Sequence, residues 1–84
     1  MKNVAITLSP EQGLSCVSEI IRETEKAILI SDGAYEAWLP KSQLKINQDY
    51  IEVPDWLWMK NFHECLAMSL NQAIELAKEY NEDK

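Results

Sequence analysis

Ala27-Ile28-Leu29-Ile30-Ser31-Asp32-Gly33-Ala34-Tyr35-Glu36-Ala37-Trp38-Leu39-Pro40 places two β-prone apolar runs on either side of an Asp-Gly pair. A type I′ turn holds both of its central residues at positive φ, and Asp-Gly is among the pairs that tolerate this best. With Asp32-Gly33 as a two-residue turn, the stretch is a hairpin at residues 26–39. Ile30 then lies opposite Tyr35, Ile28 opposite Ala37, and Ala27 opposite Trp38. One face carries Ile28, Ile30, Tyr35, Ala37 and Leu39; the other carries Ala27, Leu29 and Trp38. Both faces are largely apolar, so the hairpin is curled into a barrel, covered twice, or left to expose an interface.

Upstream, residues 4–8 (Val-Ala-Ile-Thr-Leu) make a short strand, ended by the turn formers Ser9-Pro10-Glu11-Gln12-Gly13. Residues 14–23 alternate as a strand would, yet Leu14, Val17, Ile20 and Ile21 also suit a short helix. The polar tetrad Glu23-Thr24-Glu25-Lys26 favours the strand. Downstream, Pro40 stops the hairpin because it has no amide hydrogen for the ladder. Lys41–Leu44 reads as a turn or one helical coil, and Tyr50–Val53 as a last short strand.

Pro54 and Asp55 suit the first turn of a helix. No Pro or Gly follows before Glu82. Met59, Phe62, Leu66, Leu70, Ala73, Ala77 and Tyr80 recur at helical spacing, which predicts one continuous helix over about 55–82. Such a helix is roughly 42 Å long, more than a few short strands can cover. The expected fold is α+β: a small antiparallel sheet of three to five strands with one long C-terminal helix laid across it. The overhang predicts a homodimer through Leu66, Leu70, Ala73, Ala77 and Tyr80.

Composition bounds the rest. The chain has 84 residues, 46% of them apolar, enough for a single domain over 1–84 with a packed core. Two cysteines, Cys16 and Cys65, are too few for a disulfide scaffold and suggest reduced thiols in the cytoplasm. No stretch approaches the ~20 apolar residues of a membrane span, and the N-terminal apolar run is too short for a signal peptide. The net charge is −6, from 14 acids and 8 bases. That field repels nucleic acid and suits a basic protein partner or solubility.

Catalytic chemistry finds little purchase. His63 and Cys65 are two residues apart, which on a helix turns their side chains away from each other, so no metal site is expected. There is no phosphate-binding Gly loop, no nucleophile elbow and no pair of carboxylates in a setting that would split their pKa values. The expectation is therefore a non-enzyme without a cofactor. Two clusters suit a partner. Trp56-Leu57-Trp58-Met59 surrounds a helix turn with large apolar side chains, more than one sheet can bury; Trp56 and Trp58 are interface candidates, the alternative being that Trp56 and Met59 seal the core while Trp58 lies flat on the surface. Trp38, Lys41 and Gln43 gather at a sheet end. There Trp38 and the nearby lysines Lys41 and Lys45 could also stack a base and hold a phosphate, although the basic charge is small.

Residues 23–44, with "TEKA" followed by "WLPKSQ", and Val53-Pro54-Asp55-Trp56-Leu57 resemble a group of small proteins encoded by bacteriophages, prophages and plasmids. The resemblance covers about half of the chain. It implies no activity residue by residue. It does imply a stoichiometric binder of host machinery, such as an anti-CRISPR-like inhibitor of a nucleic-acid-handling or defence complex. The helix beyond residue 60 departs from the shorter members of that group.

Overall fold

A computed structural model describes residues 2–9, 14–62 and 68–82. Six strands form one sheet: β1 (Lys2–Ser9), β2 (Leu14–Glu23), β3 (Ala27–Ser31), β4 (Glu36–Pro40), β5 (Lys45–Ile46) and β6 (Tyr50–Glu52). Two helices follow, α1 (Asp55–Phe62) and α2 (Leu70–Glu82). The strand order is β4-β3-β2-β1-β6-β5. Neighbours are antiparallel except β1 and β6, which run parallel, with Ile6 opposite Ile51.

This order forces the sheet to curl. β4 and β5 are the two edges, yet only Lys41–Leu44 joins them, including a 3-10 turn at Lys41–Gln43. Five strand spacings in a flat sheet amount to about 24 Å, whereas the five Cα steps from Pro40 to Lys45 reach at most about 18 Å. The edges must therefore swing towards each other. The inner face is the core, with Ile6, Leu8, Cys16, Ile28, Ile30, Leu39, Ile51 and Val53 closed over by Leu57, Trp58 and Phe62 of α1.

The outer face of β1 and β2 carries the alternate residues, among them Ala5 and Thr7 opposite Val17 and Ser15. There α2 packs, burying Ala73 and Ala77. Side chains this small let the helix backbone approach the strands closely.

Three expectations are corrected. The sheet has six strands and one parallel pair, not three to five antiparallel ones. β5 escapes notice because it is two residues long, and pairing of β6 with β1, more than 40 positions away, leaves no local signal.

The single helix over 55–82 is two helices, because Met68 and Ser69 hold the chain out of helical geometry. The Met68 amide and carbonyl bond to the carbonyl and amide of Ser15, at 3.3 and 3.2 Å, extending the open side of β2. The next residue caps α2: the Gln72 amide donates to Ser69 Oγ (3.1 Å) and the Ser69 amide to Gln72 Oε1 (3.1 Å). This is a capping box, with each end of the pair satisfying the other's backbone donor. The 13 residues of α2 lie over β1 and β2, and the overhang that motivated a dimer is absent.

The hairpin is real, but its loop has four residues, Asp32–Tyr35, and Ile30 faces Ala37. Asp32 Oδ1 accepts from the amides of Ala34 (2.9 Å) and Tyr35 (2.8 Å), and Ser31 Oγ accepts from Gly33. Gly33 sits at positive φ, +100°. The aspartate side chain thus stabilises a longer loop than the pair suggests. The register moves by two, so each strand residue keeps its expected face, and Tyr35 leaves the strand for the loop. Residues 14–23, open between strand and helix, are strand β2.

Candidate interaction surface

The outer face is only partly covered. α2 occupies it over β1 and β2, whereas across β3 and β4 no described element covers it. Register places two rows there. Glu19, Ser31 and Glu36 form one; Arg22, Leu29 and Trp38 form the other, with Ala27 beside Pro40 beyond. Leu29 is half-buried and Trp38 is 46% exposed, so an indole lies on a sheet rather than on a loose loop. Its opposite side is Leu39 in the core. The platform is consequently backed by the buried core.

The end of this face is tied down by the same residues that carry the resemblance. The Thr24 amide and hydroxyl both donate to the Ala27 carbonyl (2.8 and 3.2 Å), and the Ala27 amide returns a bond to Thr24 Oγ1 (3.1 Å), closing the β2–β3 turn. The Lys41 amide donates to Lys26 (2.8 Å), and Lys41 Nζ pairs with Glu23 at 2.6 Å. In this chain "TEKA" and "WLPKSQ" are two halves of one structural clasp.

The expected partner residues are dispersed. Trp38, Lys41 and Gln43 do lie at one end of β4, with Gln43 exposed and Lys41 taken up by Glu23. Trp58 is a correction: it is wholly buried, its ring 4.3 Å from that of Phe62, because it is the α1 residue aimed into the curl. Trp56 is 60% exposed on the solvent side of α1, with Met59 one turn on. As α1 lies on the inner face and Trp38 on the outer, the two tryptophans do not form one site.

Of the expected dimer residues, Ala73 and Ala77 are buried against the strands of their own chain, Leu70 is half-buried and Tyr80 is 47% exposed. Leu66, with His63 and Cys65, lies outside the described residues. Two residues of the open face, Glu19 and Leu29, were not among the expected partner residues, although Leu29 was placed on one face with Trp38. Their alternation along β2 and β3 was visible, but not which face α2 would leave bare.

Hollows flank α2, two of them beside its exposed side and its C-terminal end. A groove of about 520 Å³ runs along its exposed side, lined by Met68, Asn71, Gln72, Glu75, Leu76 and Glu79. All six come from one short stretch, so among the described residues nothing forms an opposing wall. The second, about 210 Å³, is built from four elements: Asn3 of β1, Val17, Ser18 and Glu19 of β2, Ser31, Asp32 and Gly33 at the β3 end, and Tyr80 of α2. It adjoins the open face. Among the described residues no group of three or more His, Cys, Asp or Glu could hold a metal, and no helix is long and apolar enough to cross a membrane.

Fold and surface together define a small α+β domain with a six-stranded curled sheet, an α1 plug inside and an α2 cover on half of the outside. No family model, curated protein or solved structure matches the chain.

Proposed function

We propose that the chain is a non-catalytic protein-binding module whose binding surface is the open outer face of β2, β3 and β4, centred on Trp38. The observation that carries this reading is a half-exposed tryptophan set on a strand whose other side is core. Interface energy concentrates in rigid aromatic anchors of this kind, since little side-chain freedom is left to lose on binding. The resemblance to proteins of mobile elements supports a stoichiometric binder of host machinery, an inhibitor of a nucleic-acid-handling or defence complex.

An accessory nucleic-acid-binding role would use the same indole with Lys41 and Lys45. Lys41 is bonded to Glu23, and Lys45 lies 3.9 Å from Glu52, so both cations are already shared with carboxylates. With a net charge of −6, this favours a protein partner. The test is capture from host extract with the unmutated chain, Trp38→Ala and Trp56→Ala, followed by calorimetry on the purified pair. A partner kept by Trp56→Ala and weakened more than about 10-fold by Trp38→Ala supports the reading. A partner lost with Trp56→Ala alone moves the site to α1. Sub-micromolar binding of single-stranded DNA at about 150 mM salt overturns the preference for protein.

A further inference from the structure

We infer that the recess between the β3–β4 loop and the C-terminal end of α2 receives an arginine side chain of the protein partner. This rests on the outer face being the binding surface, and it names the chemistry that surface selects. At about 210 Å³ the recess is smaller than the ~300 Å³ at which small-molecule pockets begin, and matches a single side chain. Its lining contains two carboxylates, Glu19 and Asp32, and neither lysine nor arginine.

Neither acid has an ion-pair partner among the described residues, in contrast to Glu23 and Glu52. Asp32 spends Oδ1 on the Ala34 and Tyr35 amides, which fixes the carboxylate and leaves Oδ2 for a ligand. Tyr80, 47% exposed, adds an aromatic wall, and Asn3 contributes a polar side chain.

A planar cation can stack on a phenol ring while donating to carboxylates at its edge, which an ammonium does less well. Two carboxylates without a third ligand make a poor metal site, so the charge complementarity points to an organic cation. The Glu19–Ser31–Glu36 row then continues the acidic field towards Leu29 and Trp38. The partner segment is thus basic with an adjacent apolar residue.

The probe is the peptide acetyl-Leu-Arg-Leu-amide, compared with the same peptide carrying citrulline, which keeps the shape and removes the charge. Each is titrated into the isotopically labelled full chain and followed by NMR. The expected result is shift changes centred on Glu19, Asp32, Gly33 and Tyr80, with the arginine peptide at least ~5-fold tighter. The double variant Glu19→Gln, Asp32→Asn should bring the arginine peptide down to the citrulline level. Asn keeps the Oδ1 acceptor, so the loop is preserved, and an unchanged backbone spectrum checks it. Equal affinity for the two peptides, changes centred on Glu75 and Glu79 instead, or no change up to ~20 mM overturns the arginine site. If both peptides shift Trp38 and Leu29 equally without touching the recess, the arginine site falls while the outer-face reading stands. The Trp38→Ala comparison tests that reading separately.

Discussion

β1 and β2 present two faces that are held in opposite ways. Inward, Ile6, Leu8 and Cys16 meet Leu57, Trp58 and Phe62, large side chains buried in one cluster. Outward, β1 and β2 carry Ala5, Thr7 and Ser15 under α2, which buries Ala73 and Ala77, and the Thr7 and Ser15 hydroxyls are buried without a hydrogen-bond partner among the described residues. Hydrophobic stabilisation follows apolar area removed from water, so the inner layer supplies most of it. The outer layer relies on specific bonds at the two ends of α2. Near its start are the Ser69–Gln72 capping box and the Met68–Ser15 bridge. At its end Asn81 Oδ1 accepts from the Asn3 amide (2.8 Å), and Asn81 Nδ2 donates to the Asn3 carbonyl (2.9 Å), as a neighbouring strand would. A helix laid on alanines is positioned by its ends; a helix that inserts a tryptophan is positioned by its middle.

That contrast can be broken most directly at Trp58. Trp58→Ala should cost about 3–5 kcal/mol, a large part of what a domain of this size has, and leave a poorly folded chain in urea titrations. A loss below about 1 kcal/mol would mean that the inner layer does not dominate. Asn81→Ala removes both bonds to the β1 backbone and leaves the part-buried Asn3 amide without its partner, so roughly 1–3 kcal/mol is expected. Hydrogen exchange should show the change first at Asn3 and along α2, with the inner strands still protected. If protection falls uniformly, the two layers are one cooperative unit and the comparison loses its meaning.

Ser69→Ala should cost about 1 kcal/mol by removing the cap. Ser69→Asp, which keeps an acceptor at the N-cap, should restore most of it, and a thermal melt of both variants checks this. Thr7→Val has the smallest effect and the opposite sign. It keeps the shape of the side chain and removes a buried hydroxyl that has no partner, so a neutral to ~1 kcal/mol stabilising change is expected. Clear destabilisation would show that the hydroxyl is bonded in solution, and that the outer layer contains a polar link after all.

Much of the strand layout was legible because its signals are local. The polar tetrad at Glu23–Lys26, Asp32-Gly33 and Pro40 each stop a strand with the backbone properties of one or two residues, and the turn formers of residues 9–13 lie mostly outside the described residues. Ser69-Leu70-Asn71-Gln72 was equally local, a capping box within the apparent helix, and it outweighs the missing Pro and Gly because a satisfied cap starts a helix as surely as a breaker ends one. The tryptophans show the other limit. Trp56 and Trp58 are two residues apart in the same helix, yet one is 60% exposed and the other fully buried. Which of them enters the core depends on how α1 is rotated over the curl, and its eight residues have too little periodicity to set that rotation.

The sequence by itself determined an α+β domain, the hairpin and the face on which each of its strand residues lies, because alternation survives a register shift of two. It also determined a net charge of −6. Tertiary structure alone decided that β6 joins β1 in parallel, that the edges curl together, and that α1 and α2 dock on opposite faces of the sheet. It also decided which half of the outer face stays open, and so brought Trp38, Leu29, Glu19, Asp32 and Tyr80 onto one surface. The physical reason is that capping and turns are bought from neighbours in sequence, whereas sheet order and helix docking depend on shape and area shared by residues far apart in the chain.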